Sequence, residues 1–240
     1  MKTNDIHICA FPKSGVTYFG FLLTAVRLHH NGIALVPTMY NIDFLMIDIH
    51  KMSNVSVASI WRDGIGDLFK THNPFFPVPN AVYLLRDPVA TLRSYFHFRR
   101  QLGTQESAKE FLLGSEGISA WNNHVKSWLI DNRNASQSLF VTEYEKVQAA
   151  PKEELRALGQ QLGLEFSDAS LEHGLSCASL ERMRASEAAF TARNPTYARF
   201  NLNFVRTEDS RTVEDITAEL VNLIKAQTQQ VYDLARRSLR

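Results

Sequence analysis

Lys13-Ser14-Gly15-Val16-Thr17 follows a short apolar run and opens a helical pattern. Backbone N–H groups at a helix start lack intrahelical partners, and the helix dipole adds positive potential there. With the Lys13 ammonium and the hydroxyls of Ser14 and Thr17, such a turn suits an anion. Gly15 permits the tight bend. The Lys precedes the Gly, so the loop departs from the G-x-x-x-x-G-K-S/T spacing used for nucleoside triphosphates. An ordinary strand–helix turn with a surface lysine is the plain alternative. Arg86 presents a guanidinium fork that matches phosphate oxygens, against the alternative of a structural salt bridge to Asp87 or Asp67. His72, two residues beyond Lys70, carries an imidazole that titrates near about 6.5 when unperturbed and accepts a proton at neutral pH.

These residues need elements to position them. Ile6 to Phe11 reads as a short buried strand, and apolar residues at Phe19, Leu22, Leu23 and Val26 then recur at helical spacing. Residues 31–66 carry no clear period. Asp67 to His72 reads as a second strand with a polar end, followed by an irregular connection enforced by Pro74, Pro77 and Pro79. Ala81 to Leu85 is the strongest strand pattern; beyond Arg86, Asp87 is placed to cap a helix with Pro88 at its first position. That helix runs through about Arg100. Ile118, Trp121, Val125, Trp128 and Leu129 mark another helix. Ser138 to Thr142 reads as a strand, Pro151 to Leu162 as a helix ended by Gly163, and Ile216 to Leu234 as the last long helix. The alternation predicts an α/β fold, a P-loop-like parallel sheet with helices on both faces, in a single domain over residues 1–240. Ligands of such sheets bind beyond the carboxyl ends of the strands. The Pro12-to-Tyr18 loop, the Lys70-Thr71-His72 end and Arg86 all belong there.

The bulk numbers exclude several classes. The 240 residues carry 26 basic and 25 acidic side chains, a formal net charge of +1, so no global field recruits nucleic acid or an anionic membrane. Hydrophobic residues make up 45% and charged residues 21%, as in ordinary globular proteins. No stretch approaches the roughly 20 apolar residues of a membrane span, and no secretory pattern opens the chain, so the expected compartment is the cytoplasm. Cys9 lies in an apolar run and reads as core. No His/Cys/Asp set shows ligand spacing, so no metal is expected.

Three segments share wording with one family. "PKSGVTY" resembles the P-K-S-G-T-T-W loop of sulfotransferases that use 3′-phosphoadenosine 5′-phosphosulfate (PAPS) and release adenosine 3′,5′-bisphosphate (PAP). The resemblance implies that Lys13, Ser14, Gly15, Val16 and Thr17 hold the phosphosulfate end, with Val16 in place of a Thr and Tyr18 in place of a Trp near the adenine. "YLLRDPVATLRSYFHF" resembles the family's R-N-P-x-D-x-x-x-S-Y-Y-H-F segment, with Arg86 and Ser94 at the matching separation of eight residues. In the family that pair binds the 3′-phosphate. "FKTHNPF" resembles K-T-H-x-P, which implies His72 as general base, with Lys70 and Lys13 stabilising charge. Weaker likenesses place Tyr144 near the nucleotide and Arg206 in a loop, Phe204 to Asp215, that closes over the 3′-phosphate.

The sequence thus reads as a PAPS-dependent sulfotransferase that needs no metal and acts on a hydroxyl or amine of a small-molecule or carbohydrate acceptor. Phe75, Phe76 and Tyr40 suit an apolar or ring-bearing alcohol and equally suit a core. A P-loop kinase is the first rival, though the G-K-S/T signature is missing. A non-catalytic nucleotide-binding module is the second, and it has no use for His72 and Lys70.

Overall fold

The computed structural model describes residues 3–49, 60–136, 138–195, 198, 205 and 216–239. In chain order the elements are β1 (Ile6–Cys9), α1 (Val16–His30), α2 (Ile42–Leu45), β2 (Met46–Asp48), β3 (Leu68–Thr71), β4 (Asn80–Leu85), α3 (Pro88–Gln101), α4 (Ala108–Leu113), α5 (Ile118–Lys126), β5 (Ser138–Glu143), α6 (Tyr144–Ala149), α7 (Pro151–Gln161), α8 (Asp168–Cys177), α9 (Leu180–Arg193) and α10 (Ala218–Arg236). Every strand pair is parallel, in the order β2-β3-β1-β4-β5. β1 is therefore central, and all four of its residues are buried.

Strand alternation divides the core in two. Ile6 and Ile8 face a cluster with Leu22 and Val26 of α1, Leu158 of α7 and Leu171 of α8. Cys9 faces the other side, with Tyr83, Phe96 of α3, Trp121 of α5, Trp128 and Ile224 of α10. Both sheet faces are thus covered, as the near-continuous apolar strands require. His7, on the second face, stacks on its cross-strand partner Phe69 at 5.0 Å and meets the edge of Phe76 at 6.4 Å.

Helix ends follow their local chemistry. Asp87 accepts a hydrogen bond from Ala90 N at 2.8 Å, with Pro88 at the first position of α3. Gly163, at φ +73°, follows the end of α7. Ser107 and Glu110 close a capping box on α4.

Two differences from the sequence reading matter for function. The patternless segment holds α2 and the edge strand β2, whose three residues are too few to show an alternation. The helix marked by Ile118 to Leu129 stops at Lys126 and widens into a π turn over Ser127–Asp131. That turn ties down the chain after β3. Trp128 Nε1 donates to Asn73 O at 3.0 Å, and Ser127 Oγ accepts from Phe75 N at 3.0 Å. Among the described residues no helix is long and apolar enough to cross a membrane.

The lead into β3 is anchored by a buried ion pair. Arg27 of α1 grips Asp63 with two bonds of 2.9 and 2.8 Å, and its guanidinium lies 4.1 Å over the Trp61 ring. Both charged side chains are almost wholly buried. Burial pushes the Asp63 carboxyl up, but its bonds from Arg27, Asn31 and Ile65 N hold it below the ordinary value. Removing one partner strands the other charge in the interior. Asp63→Ala is therefore expected to cost about 3–5 kcal/mol of stability, measured by urea denaturation.

Candidate active site

The loop between β1 and α1 turns through two left-handed residues. Lys13 has φ +69°, the one positive value on a non-glycine among the described residues, and Gly15 has φ +97°. Between them Ser14 is 2% exposed, and its N–H donates to Phe11 O at 3.2 Å. Gly15 caps α1, so the free N–H groups of the first helical turn open at the loop. Val16 buries its side chain in the core, so its backbone N–H is the group it presents at the helix start.

Arg86 binds this loop directly. It follows β4, and its Nη1 donates to Lys13 O at 2.8 Å. The left-handed Lys13 directs that carbonyl toward β4. The Arg86 guanidinium also lies 4.5 Å over the ring of Tyr144, the first residue of α6. The same ring packs on Gly15, where a Cβ would come within 2.2 Å of Tyr144 Cδ2. Tyr18 meets Tyr144 edge-on at 6.2 Å, and burial followed by Tyr144 raises its phenol. Lys13 Nζ sits 4.7 Å from the Phe98 ring on α3. Ser94 lies one turn before Phe98 on the same face of α3.

His72 stands on the other flank of the loop. Its Nδ1 is 2.7 Å from Ala10 O. A carbonyl only accepts, so Nδ1 carries the proton and Nε2 is the basic nitrogen. His124 of α5 is 3% exposed and pairs with Tyr83 Oη at 2.9 Å through Nδ1. Burial, and then neighbouring His72, lower its pKa to about 3. His124 is thus a neutral interior neighbour of His72, which its place on an amphipathic helix did not reveal.

Lys70 is held more tightly than its sequence context implies. Its Nζ lies 3.2 Å from Asp43 Oδ1 and 3.4 Å from Asp48 Oδ2. Both carboxylates come from the patternless segment. The β2–β3 register brings Asp48 beside Lys70, and no pattern in the sequence signals either carboxylate. Phe75 and Phe76 pack on Trp128 at 5.0 and 6.0 Å, and Tyr40 donates to Ala189 O at 2.7 Å. Those contacts give all three aromatic residues structural roles. Arg206, with the loop from Phe204 to Asp215, lies outside the described residues apart from Val205, whose N–H donates to Glu187 at 3.2 Å.

A parallel sheet whose central strand feeds a helix-start loop, with Arg86 from the neighbouring strand end bonded to that loop, defines an α/β fold of the P-loop-like kind. The sequence model of the sulfotransferase domain matches residues 3–233, and the chain belongs to that family. Sulfotransferase 1B1 of Canis lupus familiaris is 24% identical over 206 residues, covering 76% of this chain and 67% of that protein. Amine sulfotransferase of Oryctolagus cuniculus is 22% identical over 201 residues, covering 77% of this chain and 64% of that one. The crystal structure of mouse sulfotransferase SULT7A1 complexed with PAP shares the fold with a TM-score of 0.61 at 18% identity, covering 99% of this chain and 89% of that one.

Two outcomes follow from the packing. Gly15→Ala adds a methyl against Tyr144 in a left-handed backbone, so it is expected to destabilise by about 2–4 kcal/mol and to lower the urea midpoint. The second concerns pH. Burial lowers the pKa of His7 to about 4, as it lowers that of His124 to about 3. Above the unfolded value of about 6.5 both states are neutral and stability is flat; below it the unfolded chain takes up protons that the folded protein refuses. Between pH 7.5 and 5.5 stability should fall by about 1.4 kcal/mol for each of the two residues, most of it below pH 6.5. Urea denaturation at pH 7.5 and 5.5 measures the slope.

Proposed function

We propose that this protein transfers a sulfuryl group from PAPS to a hydroxyl or amine of a small-molecule or carbohydrate acceptor. The observation that carries this reading is the Arg86–Lys13 bond. It sets a cationic fork beside the helix-start loop, giving two anion-binding elements side by side, while His72 is fixed to the same loop through Ala10. A donor with anions at both ends of its nucleotide matches that pair. The cradle fits in shape too, because Gly15 leaves room for the Tyr144 ring that backs it.

When bound, PAPS supplies the sulfuryl group: its S–O bond to the 5′-phosphate breaks as the acceptor oxygen or nitrogen bonds to sulfur, and PAP remains. Lys13, Ser14, Thr17 and the N–H groups at Gly15 and Val16 hold the phosphosulfate end. Arg86 and Ser94 hold the 3′-phosphate, joined by Arg206. Tyr18 and Tyr144 flank the nucleotide. His72 Nε2 takes the acceptor proton, since Nδ1 is already committed to Ala10 O. Lys13 and Lys70 offset the negative charge that gathers on the transferring and departing oxygens. Positioning and fixed charge carry the chemistry, as in phosphoryl transfer.

PAP should raise the melting temperature without Mg²⁺, and AMP should raise it less. His72→Ala should leave PAP affinity unchanged by calorimetry while turnover with PAPS and a panel of phenols, sugars, amines and aliphatic alcohols falls by at least about 10². A stabilising effect of ATP–Mg²⁺ with none from PAP overturns the donor; full turnover by His72→Ala overturns the base.

A further inference from the structure

Lys70 sits on a strand end with two carboxylates on its ammonium, and their placement is systematic. Asp48 is its cross-strand partner on β2, so the parallel register turns both side chains to one face of the sheet. Asp43 reaches the same ammonium from α2, the short helix that runs directly into β2. The Asp48 side chain is 11% exposed and that of Lys70 is 17%, against 40% for Asp43. The Asp48 contact is therefore the better shielded from water and salt.

A lysine has a long stem and many rotamers, and it is a poor electrostatic device unless something holds its head. Charge stabilisation works when the charge is already aimed before the reaction begins. We propose that Asp48, assisted by Asp43, is a positioning residue that fixes the Lys70 ammonium at the end of β3. This role rests on the reading of the site as a PAPS-dependent sulfotransferase. It also gives the α2–β2 unit a function: edge strand β2 pairs with β3 alone among the described strands, and it carries one carboxylate at its end and another just before its start.

A purely structural pair that pins the edge strand makes a different prediction, and a double-mutant cycle separates the two. Asp48→Asn keeps the shape and removes the charge. At saturating PAPS and acceptor its kcat should fall roughly tenfold, a loss expected from misplacing one charge in a preorganised site, while its Kd for PAP stays within about twofold of wild type. In a Lys70→Met background the same substitution should change kcat by less than about twofold, because the residue it positions is gone. Asp48→Glu, which keeps the carboxylate, should recover part of the loss. If Asp48→Asn does not fold, Asp43→Asn runs the same cycle with a smaller expected loss of about threefold. Unchanged kcat, or an equal loss with and without Lys70, overturns the positioning role while sulfuryl transfer by the wild type still stands. No transfer by the wild type from PAPS to any acceptor overturns the donor reading, and this role falls with it.

Discussion

A single hydrogen bond, from Arg86 to the carbonyl of Lys13, is the contact on which the site turns. Its acceptor, Lys13, has a left-handed backbone, a conformation that costs a non-glycine residue about 1–3 kcal/mol. The strain is offset by what surrounds it. Arg86 stacks on Tyr144, Tyr144 packs on Gly15, and the Lys13 ammonium rests on Phe98. These contacts bring in the end of β4, α6 and α3, so the loop takes its shape from those elements as much as from its own residues.

The opposite flank is built on the same principle. Ala10 O accepts from His72, which selects the imidazole tautomer. The π turn after α5 fixes the chain beyond β3 through Trp128 and Ser127. The wider turn serves the neighbouring loop, a common use of π geometry near functional sites. His124 lies next to His72 as a neutral ring, so the interior gains a polar contact to Tyr83 without burying a charge.

Much of this was legible before any coordinates. Strands β1, β3, β4 and β5 are short, largely apolar segments between turn signals, and α3 announces itself with Asp87 and Pro88. The expected site residues Lys13, Gly15, Arg86 and Tyr144 meet in one contact network because parallel strands deliver their ends to one rim. What escaped was short or relational. β2 has three residues and no readable period. Asp43 and Asp48 are ordinary acidic residues until the sheet register sets them beside Lys70. The aromatic pair Phe75-Phe76 reads equally as acceptor lining or as core, and its packing on Trp128 ties it to the core.

The sequence by itself determined the class of fold and the kinds of chemical group at the strand ends. Hydrophobic periodicity, capping residues and loop composition are local properties, and local energies decide them. Tertiary structure decided which groups face one another and in what state. The Arg86–Lys13 bond spans 73 residues, the His72–Ala10 bond 62, and Lys70 meets Asp43 across 27. Interactions of that separation depend on strand order and register, which no window of sequence contains. For that reason the neutral state of His124, the tautomer of His72 and the carboxylate clamp on Lys70 emerge only when the chain is folded.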